Sequence, residues 1–79
     1  MKKVEITWAD IIHEHGWHDQ DELDQFINEK SMIVRQLGYL YEEDDNYYVV
    51  LDSFFEDNSL FGTIHMIPKG CVISLHEVT

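Results

Sequence analysis

The stretch that decides the fold is residues 32–55, MIVRQLGYLYEEDDNYYVVLDSFF. Two segments rich in β-branched and aromatic residues, 32–41 and 47–55, flank the acidic turn EEDDN at 42–46. This pattern is typical of two antiparallel strands joined by a short turn. Gly38 lies inside the first segment, where a glycine often marks a bulge or a bend that curls a sheet. The stretch therefore predicts a hairpin with an acidic tip.

Further strands are predicted on both sides of this hairpin. A second turn at 56–59 precedes a strand at 60–67, and Pro68-Lys69-Gly70 makes a tight connection to a last strand at 71–78. Alternating apolar and polar residues over 4–7 predict a short first strand. We therefore expect the α+β class, with a small antiparallel sheet or partly closed barrel of about five strands.

One or two short helices are predicted after the first strand. Thr7-Trp8-Ala9-Asp10 has the form of a capping box, and Gly16 stands where a helix C-terminus often takes a positive φ. Asp19 begins a stronger helical pattern, in which apolar residues at 23, 26 and 27 form one stripe. No repeat, low-complexity segment or linker interrupts the chain, so we expect residues 1–79 to form a single domain.

Composition limits the classes of partner. The 79 residues are 44% hydrophobic, which suits one core, and 16 acidic against 5 basic residues give a formal charge of −11. Such a charge repels phosphate backbones and anionic lipids, so we expect no direct nucleic-acid or membrane partner. The single Cys71 excludes an internal disulfide, and no apolar run is long enough for a membrane span. We expect a cytoplasmic protein.

Histidines give the one metal-like pattern in the sequence. His13, His15 and His18 lie close to Glu14 and Asp19, and imidazole and carboxylate groups bind transition metals. The spacing matches no tetrahedral template, because side chains two residues apart on a helical turn point about 200° apart. We expect no metal and no cofactor.

A catalytic interpretation would pair Cys71 as nucleophile with His65 or His76 as base. The simpler interpretation places Cys71 at the start of a strand, as a small core residue that shares its face with Ile73 and Leu75. Ser74 and His76 then lie on the opposite face. We therefore expect that the protein is not an enzyme.

Aromatic residues are the remaining candidates for a binding site. Trp17 follows a glycine and precedes polar residues, so we expect it to be more exposed than Trp8. Four tyrosines lie on adjacent predicted strands, where cross-strand aromatic pairing accounts for them: Tyr39, Tyr41, Tyr47 and Tyr48.

Several short motifs carry a resemblance that spans most of the chain. They are Trp8-x-Asp10, Gly16-Trp17, Gly38-Tyr39-Leu40, the acidic turn, and Ile67-Pro68-Lys69-Gly70-x-Val72-Ile73. The pattern resembles small uncharacterised proteins of tailed phages and prophages. The closing strand, Pro-Lys-Gly and strand also look like the end of Sm-like or SH3-like barrels, although the chain lacks their basic nucleic-acid-binding surface. The resemblance implies an accessory protein that acts on a host component, for example a defence system or a host enzyme.

The leading hypothesis is a non-enzymatic protein that uses one acidic surface to bind a host protein with a basic surface, and inhibits or redirects it. Complex formation should then be sensitive to salt and weakened by charge reversal at Asp44 and Asp45. The candidate binding residues are Trp17, Asp19, Asp21, Glu22, Glu42, Glu43, Asp44, Asp45, Glu56 and Asp57.

Two alternatives remain open. The chain could be an oligomer that sequesters a signalling nucleotide, with Lys30, Arg35, Lys69 and the backbone amides around Gly70 as anion contacts. It could also be a structural or assembly component of the virion. A homo-oligomer is compatible with each of these hypotheses.

Overall fold

The computed structural model describes residues 1–29 and 32–79. Within these residues the fold has five antiparallel strands and one α-helix, which confirms the α+β class. The elements, in chain order, are β1 (Lys2–Ala9), α1 (Gln20–Glu29), β2 (Ile33–Glu43), β3 (Tyr47–Phe54), β4 (Phe61–Pro68), a short 3₁₀ helix (Lys69–Cys71) and β5 (Val72–Glu77).

The strands form one sheet in the order β4-β3-β2-β1-β5. β2, β3 and β4 follow one another as hairpins, so the hairpin predicted around the acidic turn is confirmed. β1 lies between β2 and β5, and it pairs with both in antiparallel register. β1 and β5, the first and last of the five strands, are therefore neighbours in the sheet.

The sheet is strongly curled. Only Lys69–Cys71 separates β4 from β5, although these two strands form opposite edges of the sheet. In a flat five-stranded sheet the edges would lie about 19 Å apart, whereas the four-residue step from Pro68 to Val72 spans at most about 14 Å. Curling lets the two edges approach, and in the described part of the chain they do not pair, so the sheet is not closed.

The core lies on the concave side of this curl. Ile6 of β1, Val50 of β3 and Ile67 of β4 are almost completely buried and contact one another. Val72 and Leu75 of β5 pack against them from the other edge of the sheet. One small apolar core thus joins both ends of the curled sheet.

Gly38 occupies the most crowded position of β2. A Cβ atom there would lie 2.5 Å from Cγ1 of Val50 and 2.9 Å from the carbonyl oxygen of Leu51. The register between β2 and β3 then shifts between Leu40 and Glu42. The glycine therefore permits close approach of β3, and the bulge that was predicted near it lies a few residues further along β2.

The predicted helical turn after the first strand was wrong. Thr7 and Trp8 belong to β1, where they pair with Arg35 and Val34 of β2 and with residues of β5. These long-range pairs outweigh the local capping-box pattern. Residues 10–19 contain no helix, although Gly16 does adopt a positive φ of 98°.

The prediction of which residues of the last strand face the core was also wrong in part. Cys71 ends the 3₁₀ helix and is half-buried, while Ile73 is 59% exposed. The register between β1 and β5 shifts between Thr7 and Trp8, so Val72 and Leu75, not Ile73, point at the core. The prediction that Ser74 and His76 share the opposite side is confirmed by their pairing with Thr7 and Glu5.

Residues 11–29, which we call the arm, stand away from the sheet. The arm leaves β1 after Asp10, whose backbone N–H donates to the carbonyl oxygen of Met32 at 2.8 Å. The Cα radius of gyration is 16.4 Å, against about 12 Å for a compact chain of this length. The molecule is accordingly elongated, at 54 × 23 × 22 Å. Within 1–29 and 32–79, no helix combines the length and apolar character needed to cross a bilayer.

Candidate protein-binding surfaces

The two tryptophans differ in exposure as predicted. Trp17 of the arm is fully exposed, and none of the other described residues covers it. Trp8 is half-buried against the core, and its indole N–H donates to Oε1 of Gln36 at 3.2 Å. Trp17 is therefore a candidate contact residue, whereas Trp8 belongs to the fold.

The start of α1 is organised by carboxylates. The Asp19 side chain accepts the backbone N–H of Glu22 at 2.8 Å, as a helix N-cap does. Nδ1 of His18 lies 3.2 Å from Oε2 of Glu22. This hydrogen bond, helped by the charge of Glu14, raises the pKa of His18 above its ordinary value of 6.5. Asp21 and Glu22 lie in the first turn, next to the positive end of the helix dipole.

The apolar stripe predicted for the helix is confirmed, and it is only partly covered. Leu23 and Ile27 are 50% and 44% exposed, and Phe26 is half-buried. At the root of the arm an open groove of about 460 Å³ is lined mainly by apolar residues: Ala9, Ile12, Phe26, Ile27, Met32 and Ile33.

The carboxylates of the β2–β3 hairpin tip are largely engaged by the fold. Asp44 accepts the backbone N–H groups of Asn46 and Tyr47, each at 2.7 Å, and these bonds lower the pKa of Asp44. Oε2 of Glu43 lies 2.8 Å from Nζ of Lys69, and this hydrogen bond raises the pKa of Lys69. The same ammonium group lies 5.0 Å from the ring centre of Tyr48. Glu42 and Asp45 are exposed beside them.

The β3–β4 turn carries a third acidic group. Asp57 accepts the backbone N–H of Ser59 at 2.9 Å, and hydrogen bonds from Ser59 lower the pKa of Asp57. Glu56 beside it is exposed. The eight residues of β3 separate this turn from the hairpin tip, a distance of about 25 Å along an extended strand. The predicted acidic residues therefore lie in three separate places: the arm, the hairpin tip and this turn.

The residues predicted for an anion do not converge. Nε of Arg35 lies 3.7 Å from Oε1 of Glu5, near the start of β2, whereas Lys69 pairs with Glu43 at its end. Gly70 has open space around it. Lys30, the remaining candidate, lies outside the described residues. This part of the chain thus gives the nucleotide hypothesis no assembled site.

The histidines take part in local pairs. The rings of His13 and His15 lie 5.0 Å apart, edge to face, and His18 pairs with Glu22. Across residues 1–29 and 32–79, no three His, Cys, Asp or Glu side chains are grouped so that they could hold a metal ion. Nε2 of His65 lies 3.1 Å from Asp52, and that of His76 lies 3.9 Å from Glu5.

A surface that the sequence did not predict covers the convex side of β2, β3 and β4. We call it the outer apolar face. Met66 pairs with Val49 on this side, and the other members line a groove of about 240 Å³. Ile64 and Met66 are 64% and 59% exposed, and no member is charged. The outer apolar face consists of Tyr41, Val49, Phe61, Ile64 and Met66, and its groove is also lined by Leu51, which is only 2% exposed.

Aromatic pairing across strands is present, with phenylalanine as the partner. Tyr39 stacks edge to face on Phe54 at 5.0 Å between ring centres, and Tyr41 on Phe61 at 5.3 Å. Tyr48 instead packs against the core. The signal for the outer apolar face was the run Val49-Val50-Leu51, because consecutive apolar residues in a strand place apolar groups on both faces.

The comparisons with known proteins leave the family open. No protein-family model matches the chain, and no curated protein or solved structure is significantly similar to it. The surfaces described above therefore carry the functional argument.

Proposed function

We propose that the protein is a non-enzymatic phage or prophage accessory protein that binds a host protein in the host cytoplasm and inhibits or redirects it. The observation that carries this proposal is the fully exposed Trp17 followed directly by the acidic start of α1. Exposed tryptophan is a frequent anchor of protein interfaces. A rim of carboxylates around such an anchor selects a basic partner and speeds its association. The resemblance to phage proteins supports the proposed phage or prophage origin.

Of the three acidic groups, the arm fits this role best. At the hairpin tip Glu43 pairs with Lys69 and Asp44 holds the turn, while Asp57 holds the β3–β4 turn. With 100° per residue, Asp21 and Asp24 lie away from the apolar stripe of α1 and so remain available to a partner. Asp19 caps α1 and Glu22 pairs with His18, so these two hold the start of the helix. The proposed contact surface therefore consists of Trp17, Asp21 and Asp24.

The test is an affinity capture from bacterial cytosol with matched variants. We expect a specific host protein to bind the wild type and to be released by raised salt, because exposed charges are screened. Trp17→Ala and the double variant Asp21→Lys/Asp24→Lys should each lose this protein. Glu56→Lys/Asp45→Lys makes the same change in charge away from the arm and should retain it.

Two results would overturn the proposal. One is capture of the same proteins by all variants, which would show that the arm makes no specific contact. The other is a host protein lost only with Glu56→Lys/Asp45→Lys, which would move the contact surface to the turns. Circular dichroism of each variant checks that the sheet and helix are retained.

A further inference from the structure

The described residues leave two apolar surfaces only partly covered. One is the stripe of α1, with Leu23 and Ile27 about half exposed. The other is the outer apolar face, where Ile64 and Met66 are more exposed still. The first is a convex helical ridge, and the second contains a shallow groove between side chains. A helix that lays an apolar stripe into such a groove is a common mode of recognition.

The surface area of the molecule shows that its elongated shape exposes more surface than a compact monomer does. The chain exposes 6333 Å², whereas a compact monomer of 9.4 kDa exposes about 5,000 Å². The excess of about 1,300 Å² exceeds the roughly 800 Å² that each partner buries in a standard protein interface. The elongated shape therefore leaves enough surface for a stable contact between two copies.

If the partner is a second copy, the negative charge of both copies favours a contact that contains no charged side chain. Each copy carries a formal charge of −11, so two copies repel wherever carboxylates meet. The outer apolar face has no charged member, and the stripe of α1 points away from Asp21 and Asp24. Contact between these two surfaces buries apolar area while the acidic groups stay in water.

We infer that the protein forms a homo-oligomer in which the arm of one copy packs its apolar stripe on the outer apolar face of another. When the exchange is reciprocal, two copies close as a symmetric dimer with two equal contacts. Trp17 and the acidic side of α1 stay exposed in this arrangement, so the inference does not rest on the proposed function.

Mass measurement by light scattering on paired variants tests the inference. The arm variant is Leu23→Gln/Ile27→Gln, which keeps good helix formers in α1. The face variant is Ile64→Glu, which places a charge on the outer apolar face. Ile73→Glu is the matched control, because Ile73 is as exposed as Met66 but lies on β5, away from that face.

We expect an oligomeric wild type and an oligomeric Ile73→Glu control, whereas the arm and face variants should each be monomeric. A mixture of these two variants should form a two-chain complex, because the intact arm of one fits the intact face of the other. A monomeric wild type at high concentration would overturn the inference. Wild-type mass in the arm or face variant would do so as well.

The effect of salt on binding distinguishes this inference from the proposed function. Screening reduces repulsion between two acidic copies, so self-association should strengthen as ionic strength rises. Binding to a basic host protein should weaken over the same range. If circular dichroism shows that a variant is unfolded, the salt dependence of the wild-type mass still tests the inference. Self-association that weakens with salt would contradict an uncharged contact.

Discussion

A methyl group at residue 38 would have no room, since it would meet both Val50 and the backbone of Leu51. We predict that Gly38→Ala lowers the free energy of unfolding by about 1–3 kcal/mol, the usual cost of overpacking a core. Urea denaturation followed by tryptophan fluorescence measures the change.

Gly70→Ala is the control for that measurement. Open space surrounds Gly70, so its substitution should change stability by no more than about 0.5 kcal/mol. Equal effects of the two substitutions would mean that the approach of β3 to Gly38 is not tight.

The pair of His18 and Glu22 gives a prediction about pH. Because the pKa of His18 is raised in the folded chain, the pair stabilises the start of α1 fully below pH 6.5. That stabilisation is lost as the pH rises through the raised pKa. We expect an NMR titration of the imidazole protons to give a pKa above 6.5 for His18, and Glu22→Gln to lower it.

Asp24→Asn removes a carboxylate from the same helix without touching His18, and it should leave the pKa of His18 near its wild-type value. A titration curve of His18 that is the same in the wild type and in Glu22→Gln would show that the hydrogen bond does not form in solution.

At the scale of elements, the arm is an insertion between two paired strands. Ala9 pairs with Ile33, and Asp10 donates to Met32, so β1 and β2 are already joined at its root. We predict that replacing residues 11–31 by Asn-Gly, a favoured two-residue hairpin turn, leaves a cooperative sheet. Its midpoint in urea should equal or exceed that of the monomeric Leu23→Gln/Ile27→Gln variant, because a shorter loop costs less entropy to close.

Circular dichroism should show loss of the helical signal in that variant, with the β signal retained. A broad, non-cooperative transition would instead mean that the arm contributes to the core.

Local signals predicted the elements that rest on local interactions. The acidic turn and its flanking β-branched residues gave the β2–β3 hairpin, and Asp19 with the stripe gave α1. The prediction of a helical turn at Thr7 and Trp8 was wrong because their pairing with β2 and β5 depends on residues far along the chain. The prediction that Ile73 faces the core was wrong because the alternation of apolar and polar residues in a strand does not reveal a shift of register.

The candidate site was predicted in its residue types but not in its arrangement. Trp17 was identified by its polar neighbours, and the N-cap by Asp19. The acidic turns appeared as one surface because sequence does not show that β3 holds them at opposite ends. The outer apolar face was missed because both sides of β3 are apolar, and the pattern alone does not say which side the core takes.

At the scale of the whole molecule, shape in solution tests whether the arm stands free in a single copy. We predict that the monomeric Ile64→Glu variant has a radius of gyration near the Cα value of 16.4 Å in small-angle X-ray scattering. A radius near 12 Å, the value of a compact chain of this length, would mean that the arm folds back on its own sheet.

The position of β1 between β2 and β5 has a consequence for synthesis on the ribosome. β1 is the first of the five strands to be made, but one of its two neighbours, β5, is the last of the five. Val4, Ile6 and Trp8 therefore lack the cover that β5 provides until residues 72–77 have left the exit tunnel. The meander of β2, β3 and β4 can form earlier, since short connections close faster than the span from β1 to β5. The nascent chain thus completes its core only when β5 arrives, and its N-terminal strand is the part most open to chaperones until then.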